Sequence, residues 1–64
     1  MPHIQITLLE GRSPEQKRRI ARRLTDVIVE EAGTTADAVS IAFVEVALSD
    51  FARAGVLNLD KQKK

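Results

Sequence analysis

Met1-Pro2-His3-Ile4-Gln5-Ile6-Thr7-Leu8-Leu9-Glu10-Gly11-Arg12 is the stretch from which the rest of the chain can be read. From His3 to Leu9 the side chains alternate, with Ile4, Ile6 and Leu8 on one face and His3, Gln5, Thr7 and Leu9 on the other. A period of two among β-branched residues predicts a strand with one face against a core. Glu10-Gly11-Arg12 then predicts a turn. Pro2 fits the start of an edge strand, where its missing N–H has no partner to lose. It also has a chemical reading. Methionine before a small residue such as proline is normally removed in cells, which would leave Pro2 as a secondary amine. An α-amino group titrates at about 7.7 to 8.0, and a secondary amine ordinarily sits higher. An apolar pocket, and a nearby cation such as Arg12, would both disfavour the protonated form. Pro2 is therefore a candidate general base that needs neither histidine nor carboxylate.

Downstream of the turn, Ser13-Pro14-Glu15-Gln16 predicts a helix start. Ser13 caps, Pro14 suits the first helical position, and Gln16 completes a capping box. Apolar residues recur at Ile20, Ala21, Leu24, Val27, Ile28 and Ala32, and Gly33 sits where a left-handed cap ends a helix. The spacing predicts a helix over 14–32 with a polar face of Lys17, Arg18, Arg22, Arg23, Asp26 and Glu30. Its cations cluster early and Glu30 and Glu31 come last, an order that opposes the macrodipole. Arg22 and Asp26 are spaced to recover part of that as an i,i+4 pair, in the weaker order. The basic half reads either as a field that draws in anions or as a solvated or inter-subunit face.

Thr34 to Asp37 reads as a loop with one helical turn, and Val39 to Val46 as a second strand. Ile41, Phe43 and Glu45 share one face, and Ser40, Ala42, Val44 and Val46 the other. Nearly apolar on both sides, it suits a sheet covered on both faces. Strand, helix, strand predicts parallel strands joined by a right-handed crossover. Ala47 to Asp50 is irregular, and Phe51-Ala52-Arg53-Ala54-Gly55-Val56-Leu57 predicts a short hairpin or docking arm. The stretch from Asp60 to Lys64 reads as a fraying polar tail. The fold class is α+β: residues 1–64 make one domain, a single β-α-β unit with a C-terminal hairpin.

Composition narrows the function. A chain of 64 residues without cysteine has no disulfide framework and no thiolate metal site. One histidine offers no metal cluster, and two Phe as the sole aromatics offer no base-stacking platform. So small a scaffold without staples gains stability by oligomerising. A net charge of +1 argues against a nucleic-acid partner held by bulk electrostatics. No apolar run reaches the roughly 20 residues of a membrane span, and no secretory signal pattern is present, so the expected location is cytoplasmic. One rival reading remains, a ribbon-helix-helix DNA-binding dimer with a short strand before a basic helix. It needs a second helix after Gly33, where the pattern predicts a strand.

The run Met-Pro-x-Ile-x-Ile-x-Leu-Leu-Glu-Gly-Arg-Ser-x-Glu-Gln-Lys, from Met1 to Lys17, resembles the start of 4-oxalocrotonate tautomerase and its small relatives. The resemblance extends in length and element order over nearly the whole chain. It implies dimers that assemble into a homo-hexamer, a trimer of dimers, around a central cavity. It also implies proton transfer in small unsaturated 2-hydroxy or 2-keto acids, without cofactor, with the amino-terminal proline as base. Residue by residue, Pro2 matches the catalytic proline and Arg12 the arginine that binds a substrate carboxylate. Phe51 matches the hydrophobic wall that keeps the proline uncharged. The chain departs from the pattern at Ser40, where the second strand of the family carries a carbonyl-polarising arginine. Serine offers a hydrogen bond but no charge. Arg53, in an altered Ala52-Arg53-Ala54-Gly55 segment, is a candidate replacement cation and reads equally as an exposed loop residue. The departure fits a different substrate, a hetero-hexamer whose related subunit completes the site, or weak activity of this chain alone. Of the remaining polar residues, His3 reads as an exposed strand histidine and Glu10 as a turn residue.

Overall fold

The computed structural model describes residues 1–61. Strand β1 runs His3–Leu9, helix α1 Pro14–Ala32 and strand β2 Ser40–Val46. β1 and β2 pair in parallel, in the register His3↔Ser40, Ile4↔Ile41, Ile6↔Phe43 and Leu8↔Glu45. Beyond the strands, the Glu10 N–H donates to the Val46 carbonyl at 2.9 Å, so the ladder runs into the turn. Gly11 has φ 119° there, a value L side chains avoid.

Local chemistry sets both ends of α1. The Ser13 hydroxyl accepts from the Gln16 N–H at 3.1 Å, and the Ser13 N–H donates to the Gln16 side-chain carbonyl at 3.0 Å. Two donors that a helix start leaves unpaired are thus satisfied reciprocally. At the far end Gly33 is left-handed, and the Gly33 and Thr34 N–H groups both donate to the Val29 carbonyl. The helix covers the sheet face that carries Ile4, Ile6, Leu8, Ile41 and Phe43, all half-buried. Its own half-buried positions are Lys17, Ile20, Ala21, Leu24, Thr25, Ile28 and Val29.

Four details differ from the sequence expectation. Val27 is 51% exposed, and Val29 takes its place on the inner stripe. Lys17 leaves the polar face to pair with Glu45 of β2, which lies on the helix side of the sheet. Arg22 and Asp26 form no ion pair. The other pair among the described residues is Arg18–Glu15 at 3.7 Å, in keeping with the weaker order of the predicted one. The second strand begins at Ser40 rather than Val39, since the Val39 N–H closes a 3-10 turn over Ala36–Ala38.

After a 3-10 turn at Leu48–Asp50, strands β3 (Ala52–Arg53) and β4 (Val56–Leu57) form an antiparallel hairpin. Ala54 and Gly55, with φ 56° and 79°, give both central residues positive φ, the type I′ geometry that follows strand twist. The Asn58 N–H donates to the Phe51 carbonyl at 2.8 Å and closes the hairpin base. Asp60 and Lys61 of the expected tail are helical, in α2 (Asn58–Lys61). The remainder of that tail, residues 62–64, lies outside the described residues. A strand therefore follows α1 where the DNA-binding rival needed a helix, and that reading is set aside.

Only one face of the two-stranded sheet is covered. Val44 is 38% exposed on the other face, and Phe51, Val56 and Leu59 are exposed on the arm. Among the described residues none is buried.

Candidate functional site

The parallel register brings Pro2, His3 and Ser40 together at the end where both strands begin. The Ser40 N–H donates to the Pro2 carbonyl at 3.1 Å. Across the same rung, His3 Nδ1 lies 2.7 Å from the Ser40 hydroxyl. Both side chains sit on the uncovered face and are exposed. Met1 is 96% exposed, so its removal would free the Pro2 nitrogen without loss of packing.

The other candidate residues lie at the opposite end of the sheet. Phe51 and Arg53 line a concavity of about 220 Å³ with Thr7, Leu8, Leu9 and Val46. Arg12 lines a separate groove of about 230 Å³ with Gln16, Arg19, Ile20 and Arg23. Arg19 and Arg23 place positive charge beside Arg12 and also border a hollow with Glu15, Arg18 and Arg22 on the exposed side of α1. β1 spans 7 residues, which at about 3.3 Å per residue separates its two ends by about 20 Å. Within one chain Arg12 therefore does not flank Pro2, and Phe51 does not wall it. The chain thus divides its candidate residues between two ends: a candidate base beside a hydroxyl at one, and at the other the candidate cations Arg12 and Arg53, of which Arg53 shares its concavity with Phe51.

The His3–Ser40 contact lay beyond sequence reasoning. Alternation put His3 on the exposed face, as found, but its partner depends on a register that two separate strand patterns do not fix.

Residues 2–60 match the family of tautomerase enzymes. The chain belongs to that family. The 2-hydroxymuconate tautomerase of Bacillus subtilis is 31% identical over 55 residues, covering 86% of this chain and 89% of the relative. Among solved structures, a 4-oxalocrotonate tautomerase isozyme of Methylibium petroleiphilum superposes with a TM-score of 0.92 at 36% identity, covering 95% of both chains. A heterohexamer 4-oxalocrotonate tautomerase of Chloroflexus aurantiacus superposes at 0.89 with 30% identity, covering 94% of this chain and 97% of the other. The tautomerase described here is thus a 4-oxalocrotonate tautomerase-like isomerase, with the β-α-β unit and C-terminal hairpin of that fold.

Proposed function

We propose that this tautomerase moves a proton in small unsaturated 2-hydroxy and 2-keto acids, 2-hydroxymuconate among them, with Pro2 as general base. The observation that carries the reading is the position of Pro2. It opens the family match, heads β1 beside Ser40, and carries an exposed Met1 on its nitrogen. With Met1 removed, the Pro2 nitrogen takes the 2-hydroxyl proton. That oxygen's electron pair closes a carbonyl, the conjugated π electrons shift along the chain, and the same proton returns to carbon. Negative charge passes through an enolate, which a hydrogen-bond donor fixed beside the base would stabilise. Arg12 binds a substrate carboxylate bidentately, Phe51 walls the pocket, and Arg53 supplies a second cation. No cofactor takes part.

Because Pro2 and Arg12 stand at opposite ends of β1, the complete site needs a second copy whose far end meets the first copy's Pro2. A homo-hexamer built as a trimer of dimers, in the cytoplasm, satisfies this. The serine at position 40 favours one second reading, a hetero-hexamer in which a related subunit, rather than Arg53, brings the second cation. Mass spectrometry of the native complex from the source cell separates the two, since a second subunit adds a second mass.

The activity is tested by purifying the chain with Met1 removed, verified by mass, and following ketonisation of 2-hydroxymuconate and phenylenolpyruvate. Wild type is expected to turn over, and Pro2→Ala to lose most of the rate. Equal rates for the two proteins would discard the proline mechanism.

A further inference from the structure

The His3–Ser40 rung is the one cross-strand side-chain hydrogen bond among the described residues, and it lies against Pro2. A serine hydroxyl has one proton, and its partner decides where that proton goes. If His3 Nδ1 is bare, the hydroxyl donates to it and offers an incoming oxygen only lone pairs. If Nδ1 carries hydrogen, the hydroxyl accepts from His3, and its own proton is free to point outward. Removal of the 2-hydroxyl proton leaves negative charge on that oxygen, and a donor already oriented toward it stabilises the transition state more than the ground state.

We propose that His3 donates through Nδ1–H to Ser40, so that the Ser40 hydroxyl, held beside Pro2, donates to the substrate's enolate oxygen. Ser40 is then the residue that touches substrate, and His3 is a positioning residue. The inference rests on the proline reading of the preceding subsection. It also supplies what Ser40 alone lacks: a free serine rotor samples several directions, whereas the 2.7 Å contact fixes one. Among the described residues the His3 ring makes no other hydrogen bond: Gln5 and Ala42 follow on the same open face without bonding to it, and Ile4 and Ile41 point to the covered one.

The test is a double-mutant cycle on the Met1-free protein, with 2-hydroxymuconate as substrate and Pro2→Ala as reference. Ser40→Ala is expected to lower kcat by about 10-fold to 10²-fold with KM little changed, the order of one lost transition-state donor. His3→Ala should lower kcat comparably, and the double variant should be no slower than the slower single one. His3→Asn, whose amide N–H takes the place of Nδ1–H, should recover most of the loss. A separate readout needs no turnover: ¹⁵N spectra of imidazole-labelled protein should find His3 Nδ1 protonated at neutral pH. A bare Nδ1, an unchanged kcat in His3→Ala, or additive losses in the cycle would each overturn the proposal while Pro2→Ala stays inactive. If instead Pro2→Ala turns over like wild type, it is the proline reading that falls.

Discussion

Arg12 lies past the end of β1, where the turn lifts it toward Arg19 and Arg23 rather than into the sheet. A guanidinium binds a carboxylate through two parallel hydrogen bonds, a geometry that lysine cannot reproduce. Hydrogen bonds to charged groups contribute about 1.5 to 3 kcal/mol, so Arg12→Ala is expected to raise KM for 2-hydroxymuconate by about 10-fold to 10²-fold. Arg12→Lys should recover only part of it. Steady-state kinetics at fixed salt measures both, and an unchanged KM in Arg12→Ala would remove this arginine from the site. The field of the neighbouring arginines is screened within about 10 Å at 0.1 M salt. KM for the dianion should accordingly rise with ionic strength, and a salt-independent KM would count against a role for the basic half of α1. At this scale Pro2 and Arg12 stand out as candidates because each is marked by its local sequence. The His3–Ser40 bond does not, because it joins residues 37 positions apart through a register the sequence leaves open.

Among the elements, α1 was readable to its last residue because its boundaries are made by neighbours in sequence: Ser13 with Gln16 at one end, Gly33 at the other. Removing the cap tests that account. Ser13→Ala is expected to lower stability by about 1 kcal/mol, seen as an earlier unfolding midpoint, and no change would mean the cap is dispensable. The hairpin offers a test of opposite sign. Ala54 holds a left-handed conformation that costs a residue with a Cβ about 1 to 2 kcal/mol. Ala54→Asn creates the Asn-Gly pair that a type I′ turn prefers. It should stabilise the protein by up to about 1 kcal/mol, and a lower midpoint would contradict the turn assignment. The inner stripe of α1 was harder to read. Helical periodicity alone cannot say that Val29 rather than Val27 meets the sheet, or that Lys17 turns inward to Glu45. Those choices are made by the crossing of helix and strand, which is a tertiary fact.

At the scale of the whole molecule, the described chain has a two-stranded sheet open on one face and no buried residue. A two-stranded unit of this kind is marginal in water. Its stability should therefore depend on protein concentration, as mass action requires of an obligate oligomer. Val44→Asp, on the open face, should shift the assembly toward smaller species in analytical ultracentrifugation, and an unchanged sedimentation profile would take that face out of the interface. The same geometry divides the candidate site between two ends of the sheet, so assembly and catalysis should be lost together. The proposed chemistry depends on the state of one atom, the Pro2 nitrogen. Its most direct test is ¹⁵N-proline titration of the assembled protein. The account predicts a free secondary amine, uncharged at neutral pH, whose alkylation abolishes hydroxymuconate turnover. A nitrogen locked in an amide bond to Met1, or protonated well into the alkaline range, would contradict it.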